Sequence, residues 1–415
     1  MAQTEVPPYF ICPITLEIMK DPVTITTGIT YDRDSIEKWI FTQKNLICPV
    51  TKQILLSNQE LITPNITLRR LIQSWCTLHA PEGVERLPTP KAPISMSQLL
   101  KILGEAQKSC SPQTQMKCLQ SLRSIASQNQ TNKRCMESAG VAGFLASLIV
   151  KKTSEASRTE TTEDLSELRN ACCVALGILY SLQLSELGLK ALNNIEFVES
   201  LTMIMQFGSY ESRAYAIMLL KSVLEVADPS LLINLRPEFF TEFRQTLDDQ
   251  ITGKAAKETL KTLIFACPWG RNRIKAVEAG LVPVLIDLLL DSSEKRVCEM
   301  MLVVLDLLCQ CAEGRAELLK HGAGLAVVSK KILRVSQVAS EKSVRILNSI
   351  SSFSANPGIL HEMLQTGVVA KLCLVVQVDC GLKTKERARK MLKLHSRAWK
   401  NSSCIPRSLI SSYPS

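Results

Sequence analysis

Four glycines, Gly140, Gly280, Gly322 and Gly367, each stand between the end of one helical pattern and the start of an apolar one. Their contexts are Ala139-Gly140-Val141, Ala279-Gly280-Leu281, His321-Gly322-Ala323 and Thr366-Gly367-Val368. The last two intervals are 42 and 45 residues, and the 140-residue gap before them accommodates three units of about 47. Each glycine is read as a helix stop in left-handed geometry, which costs glycine no Cβ clash. The segment that follows is apolar nearly all round, as in Val282–Leu290, with Pro283 tolerated in the first turn. A helix of that kind must be buried between neighbouring units. Upstream, Asn132-Lys133-Arg134, Asn272-Arg273 and Gly314-Arg315 recur within about eight residues of a glycine. A chain with this period stacks helices in one dimension as an α-solenoid.

The solenoid reading spans residues 96–400 and resembles the armadillo-repeat family. With aromatics at 5%, a β-sandwich is disfavoured against helices built on Leu, Ala, Val and Ile. Two stretches break the pattern. Residues 153–168, rich in Thr, Ser and Glu, read as a surface loop. Residues 228–250, with Pro229, Pro237 and the Phe239-Phe240 pair, read as a disturbance of the period. Ahead of the solenoid, Pro81, Pro88, Pro90 and Pro93 make residues 79–95 a linker, and residues 401–415 read as a flexible tail.

Residues 1–78 form a separate small module. Asp21–Ile25 and Ile29–Tyr31 read as a hairpin turning at Gly28. Asp32 or Asp34 is expected to cap a helix carrying Ile36, Trp39 and Ile40. A last helix begins near Asn65, with Leu68, Leu71, Ile72 and Trp75 on one face. The loop order follows a zinc-bound RING, but Thr15 and Thr51 stand where paired metal ligands would be. One cysteine in each loop, Cys12 and Cys48, a lone Cys76 on the last helix and no histidine before His79 leave no paired ligands for a tetrahedral zinc site there. The loops are therefore expected to be held by the hydroxyls of Thr15, Thr30 and Thr51 and the carboxylates of Glu17, Asp21, Asp32 and Asp34.

The motifs Cys-Pro-Ile-Thr-Leu-Glu from Cys12, Asp-Pro-Val from Asp21, Gly-Ile-Thr-Tyr-Asp-Arg from Gly28, Ile-Glu-Lys-Trp-Ile from Ile36 and Cys-Pro-Val-Thr from Cys48 occur in order. Over residues 8–76 this sequence resembles the U-box family, and with the solenoid it resembles the plant class joining a U-box to armadillo repeats. The resemblance implies a mainly α protein with a small α+β, zinc-free, RING-like domain. It implies a ubiquitin-protein ligase that needs no cofactor and forms no covalent ubiquitin intermediate. The partners implied are a ubiquitin-conjugating enzyme, ubiquitin and protein substrates held in the armadillo groove. The conjugating enzyme would meet Ile14, Leu16, Trp39 and Pro49. Lys52 holds the ubiquitin-positioning place, where many relatives carry arginine, whose planar fork lysine lacks. At family level the resemblance points to stress or immune signalling. Ile36 and Ile40 already supply the inward stripe, which leaves Trp39 off it and free for contact.

The alternatives belong to other classes. One is an armadillo scaffold whose U-box is inactive or forms a homodimer. A nuclear-import-like carrier would need regularly spaced Trp and Asn, whereas only Trp269 and Trp399 lie in the solenoid. A catalytic thiol at Cys12 or Cys48 lacks a histidine partner in the module. Asn170, Lys342, Arg345 and Asn348 are the polar residues expected along the groove, though solvated helix faces explain them equally well.

The net charge of +10 is spread along most of the chain. The basic run from Lys383 through Lys385, Arg387, Arg389, Lys390, Lys393 and Arg397 to Lys400 reads first as a solubilising cap, with Leu382, Met391, Leu392 and Leu394 covering the last repeat, and second as an electrostatic contact for an anionic membrane or an acidic partner. It carries no aromatic platform for nucleic acid, and no segment reaches the length of a bilayer span. The 15 cysteines are scattered and odd in number. With no N-terminal apolar run, they point to a reducing compartment: the cytoplasm, with the nucleus as a second site. Cys172, Cys173, Cys298, Cys309, Cys311 and Cys373 are read as core residues.

Overall fold

The computed structural model describes residues 6–43, 45–55, 62–80, 94–108, 111–156, 162–249 and 253–400, the side chains of 162–168 excepted. Residues 81–93 of the linker, residues 157–161 and the tail 401–415 lie outside the described residues. The chain divides into two compact units, residues 1–109 with 121–139, and residues 110–120 with 140–415.

The first unit is built on a three-stranded antiparallel sheet in the order β2-β1-β3, with β1 Pro22–Ile25, β2 Thr30–Asp32 and β3 Ile62–Pro64. Val23 pairs with Tyr31 on one side and Pro64 on the other. The hairpin turns at Gly28, whose φ of +80° suits a residue without Cβ. Helix α1 (Arg33–Glu37) runs into a π-turn (Lys38–Thr42), and α2 spans Ile66–Leu78. Asn65 caps α2 by accepting the Leu68 N–H at 3.0 Å. Ile72 and Cys76 are the buried residues of α2, whereas Leu71 is exposed, so the apolar face is narrower than its spacing implied. Ahead of the first loop, Pro8–Phe10 forms a 3-10 turn. The core gathers Phe10, Met19, Val23, Ile25, Tyr31, Ile36, Ile40, Leu55 and Ile72 around the two buried loop cysteines. The same unit contains α3 (Met96–Lys108), the end of α4 (Pro112–Ala126) and α5 (Gln130–Ser138).

The second unit repeats a triplet of one long, one short and one intermediate helix. Tyr210–Glu225, Pro229–Ile233 and Pro237–Asp248 make one triplet, and Gly253–Ala266, Asn272–Glu278 and Leu281–Asp291 the next. Long helices pack on the long helices of adjacent triplets, and intermediate helices on intermediate ones, giving two layers. Intermediate helices start at Val141, Ile195, Pro237, Leu281, Gly324 and Val368, with intervals of 54, 42, 44, 43 and 44 residues.

Two sequence expectations fail here. Residues 228–250 do not disturb the period. Pro229 and Pro237 each open a helix, at the position where the missing N–H is no loss, and Phe239, Phe240 and Phe243 are buried. Nor are the described parts of 153–168, residues 153–156 and 162–168, a loop. Val141–Ala156 and Thr162–Leu182 are helices, and the extra length of the 54-residue interval falls there.

Gly140, Gly280 and Gly367 adopt φ of +77°, +83° and +74°, as helix stops require, but Gly322 does not. In that repeat the glycine requirement falls on Gly324, where an added Cβ would sit 2.2 Å from the Leu318 carbonyl oxygen. At two of the stops the polar residue upstream is a staple. Asn272, fully buried, donates to the Leu232 carbonyl at 2.8 Å and the Ala266 carbonyl at 3.0 Å, joining successive repeats. Arg315 serves the same place, donating to the Cys309 carbonyl and to Ser354 Oγ at 3.1 Å each.

Cys172, Cys298, Cys309 and Cys373 are buried as expected, but Cys173 and Cys311 are only half-buried. At the end of the stack Met391 and Leu392 are buried, whereas Leu382 and Leu394 stand exposed and do not cover the last repeat. Among the described residues no single helix is long and apolar enough to cross a membrane.

Candidate functional site

The two loops of the first unit are the same structure built twice. In Cys12–Glu17 the Cys12 N–H donates to the Glu17 carbonyl and the Leu16 N–H to the Cys12 carbonyl, both at 2.8 Å. In Cys48–Gln53 the Cys48 N–H donates to the Gln53 carbonyl at 2.8 Å and the Lys52 N–H to the Cys48 carbonyl at 3.0 Å. Each is flanked by an isolated antiparallel bridge, Ile11 with Ile18 and Ile47 with Ile54. Leu16 and Lys52 both take φ of +60°, an uncommon conformation for these residues. That shared left-handed position pushes each outward from an equivalent place on its loop.

Side chains hold these loops where a RING would use metal, though not all of those expected. Asp21 Oδ2 accepts from Arg33 Nε at 2.6 Å, and Arg69 Nη1 lies 3.6 Å from Asp21 Oδ1. Arg33 Nη1 reaches Glu37 at 3.5 Å, and both Arg33 and Glu37 are buried. Asp32 sits at the N-cap of α1 but makes no cap bond with its side chain. Its Oδ1 instead accepts the Lys20 and Asp21 N–H groups at 2.8 and 2.9 Å, pinning the first loop to the hairpin. Burial raises the pKa of this carboxyl, against the pull of those two N–H groups. Thr30 pairs with Thr24 across the hairpin at 2.9 Å. Thr15, Glu17 and Asp34 lie exposed, in contrast to the bracing role expected of them.

The braces that sequence reasoning missed are the thiols themselves. The Asp32 N–H donates to Cys12 Sγ at 3.3 Å and the Thr51 N–H to Cys48 Sγ at 3.4 Å. Tyr31 Oη and Thr27 Oγ1 also approach Cys48 Sγ, at 3.2 and 3.4 Å. The available signal was the shared Cys-Pro-x-Thr at Cys12 and Cys48, one copy per loop. Burial pushes the Cys48 thiol up, but hydrogen bonds from Thr27, Thr51 and Tyr31 outweigh it and bring the thiol down to about 6. Cys48 has no exposed surface, so its sulfur cannot meet a thioester on another protein. Cys48→Ser is expected to keep ubiquitin-chain formation in a purified reaction. Cys48→Ala leaves the buried Tyr31 hydroxyl without an acceptor and lowers stability by about 1–3 kcal/mol, read by thermal unfolding. Loss of chains in folded Cys48→Ser would restore the thiol as a reactive group.

Of the candidate contact residues, Ile14, Trp39 and Pro49 are half-buried, while Leu16 is 77% exposed and Lys52 is exposed. Ile14 and Trp39 both pack against the core cluster from its edge. Trp39 also has a structural bond, its indole N–H donating to the Ile47 carbonyl at 2.8 Å and fastening the π-turn to the second loop. Leu46, Ile47, Val50 and Ile54, not singled out from sequence, add exposed apolar surface on and beside that loop.

In the second unit the groove candidates are largely engaged. Lys342 and Arg345 lie 3.7 and 3.3 Å from the buried carboxylate of Asp306, whose pKa burial raises against those two cations. Asn348 is half-buried and Asn170 exposed. Trp399 is buried and donates to the Leu360 carbonyl at 3.0 Å.

A RING-like module braced by side chains, followed by stacked helix triplets, defines a U-box protein of the armadillo class. The U-box domain model matches residues 6–80 and the plant U-box protein ARM repeat region matches residues 98–415. The chain is 56% identical to the E3 ubiquitin-protein ligase PUB23 of Arabidopsis thaliana, covering 99% of this chain and 98% of that one. It is 53% identical to PUB22 of the same plant, also named an E3 ubiquitin-protein ligase, over 99% of both chains. Among solved structures, Uso1-2 is similar in fold alone, at a TM-score of 0.51 and 13% identity, covering 73% of this chain and 51% of that one. The chain belongs to the plant U-box armadillo-repeat family of E3 ubiquitin-protein ligases, and is a U-box ubiquitin transferase.

Proposed function

We propose that this ligase docks a ubiquitin-conjugating enzyme on Ile14, Leu16, Trp39 and Pro49, and recruits protein substrates along its armadillo repeats. The observation that carries the first half is the duplicated loop. Two equivalent turns flank Trp39, and between them expose Leu16, Val50 and Ile54 around half-buried Ile14 and Pro49. A small apolar patch with a polar rim suits a partner that must leave after each transfer. The enzyme's contribution is to hold charged carrier and substrate together, raising effective molarity while the carrier's own thioester supplies the chemistry. Lys52, at the place on the second loop that Leu16 occupies on the first, is the cation offered to the carrier-bound ubiquitin. The pathway we assign is stress or immune signalling, in the cytoplasm and nucleus.

The test is equilibrium binding of the full chain to a panel of ubiquitin-conjugating enzymes. Leu16→Asn is the informative variant, because asparagine tolerates the left-handed backbone that leucine strains to hold. Its unfolding midpoint should stay level or rise, while docking weakens about threefold to tenfold through lost apolar contact. Wild-type docking by this variant removes Leu16 from the patch, and silence across the whole panel removes the docking reading.

A further inference from the structure

Trp39 sits in an unusual piece of backbone. Lys38–Thr42 is a π-turn, closed by the Gln43 N–H donating to the Lys38 carbonyl at 3.0 Å. Such turns are rare and persist where surrounding structure holds them, often at functional sites. Here the supporting element is α5, within the same compact unit. Thr131 Oγ1 donates to the carboxylate of Glu37, a residue only 2% exposed. One turn along, the Arg134 guanidinium lies 3.1 Å from the centre of the Phe41 ring. Glu37 and Phe41 bracket Trp39 in sequence, so both contacts bear on the turn that aims the indole.

α5 is itself firmly held. Asn129 caps it by accepting the Asn132 N–H at 2.7 Å. Asn132, fully buried, donates to the Ile125 carbonyl and Gln128 Oε1 at 3.2 Å each and accepts the Ile94 N–H at 3.0 Å. Arg33 Nη1 stands at 3.5 Å from the buried Glu37 and Arg134 interacts with it electrostatically, so Thr131 is its close hydrogen-bond partner. Without that hydroxyl the carboxylate loses a charge-assisted bond in a place water does not reach.

We infer that α5 is a positioning brace for the docking turn: Thr131 and Arg134 hold Lys38–Thr42, and with it Trp39, in the geometry that receives the conjugating enzyme. The first helices beyond the U-box thereby act on carrier binding without touching the carrier. The inference rests on the docking role proposed for Trp39.

The experiment uses the full chain and a ubiquitin-loaded conjugating enzyme, with variants Thr131→Val, Thr131→Ser, Arg134→Ala and Ile14→Ala. Thr131→Val and Arg134→Ala should each raise the KM for the loaded carrier about threefold to tenfold and leave the rate at saturation unchanged. Amide hydrogen exchange across residues 38–43 should quicken in both. Thr131→Ser, which keeps the hydroxyl, should restore both readouts. Wild-type KM and wild-type exchange in Thr131→Val and Arg134→Ala overturn the brace. Faster exchange with an unchanged KM also overturns it, because the turn would then loosen without consequence for docking. A wild-type KM in Ile14→Ala strikes the docking reading itself, a separate outcome.

Discussion

Arg33→Ala should unfold most of the U-box at room temperature, with a stability loss of about 3–5 kcal/mol. Arg33 is 6% exposed and its guanidinium serves two carboxylates at once, Asp21 Oδ2 at 2.6 Å and Glu37 Oε1 at 3.5 Å. Glu37 is also buried, so removing the cation leaves its charge in the interior with the Thr131 hydroxyl but without its ion-pair partner, rather than a bond returned to water. A module this small has only a few kcal/mol of stability to lose. Arg69 lies 3.6 Å from the other oxygen of Asp21 and is paired there. Arg33→Lys should recover only part of the loss, because a single ammonium cannot span both carboxylates. Circular dichroism melts of the three chains give the ranking, and a wild-type melt for Arg33→Ala would mean that the loops are held by the core alone.

What could be read from the sequence follows the range of the interactions concerned. The hairpin at Gly28, the Asn65 cap and the glycine stops at 140, 280 and 367 are local devices, and each is found where its residue type implied. Misreadings arose where the same task is done by different chemistry. Ile195 and Pro237 open intermediate helices without a preceding left-handed glycine. Asn194 caps one by accepting the Phe197 N–H, and Pro237 itself begins the other. The units between 140 and 280 therefore carried no glycine mark in the sequence, and residues 228–250 read as a disturbance although the period persists there. Residues 153–168 misled for a related reason. Serine, threonine and glutamate suit a solvated loop, but they suit the exposed face of a helix as well, and two helices take most of that stretch. Other features were out of reach because the partners lie far apart in sequence. The bonds from Asn272 to Leu232 and from Tyr31 to Cys48 span 40 and 17 residues. The duplicated loops were visible as a repeated Cys-Pro-x-Thr, yet only the shared φ of +60° at Leu16 and Lys52 makes them equivalent. For the candidate site, the sequence located Trp39 off the inward stripe but could not show its indole fastened to Ile47.

That bond changes how the docking residues must be tested, and leads to the second large effect. Ile14→Ala should reduce conjugating-enzyme affinity and ubiquitin-chain formation about tenfold to thirtyfold, the range of a central apolar anchor, with the fold intact. Ile14 is half-buried at the edge of the core, so truncation removes contact surface and little of the interior. Trp39→Ala should lose more, but for two reasons at once. It removes the ring and also the indole N–H that holds the Ile47 carbonyl at 2.8 Å, freeing the second loop. A loss of chains in Trp39→Ala alone therefore does not separate a docking role from a structural one. Trp39→Phe keeps an aromatic ring and deletes the hydrogen bond; Ile47 stays tied to Ile54 by its bridge. If the ring is what the carrier meets, Trp39→Phe should retain much more activity than Trp39→Ala at an equally lowered unfolding midpoint. If the bond is what matters, the two variants should lose activity alike while Ile14→Ala still loses docking. Binding isotherms beside thermal melts for the three variants decide between these, and wild-type affinity in all three would mean the carrier docks elsewhere on the protein.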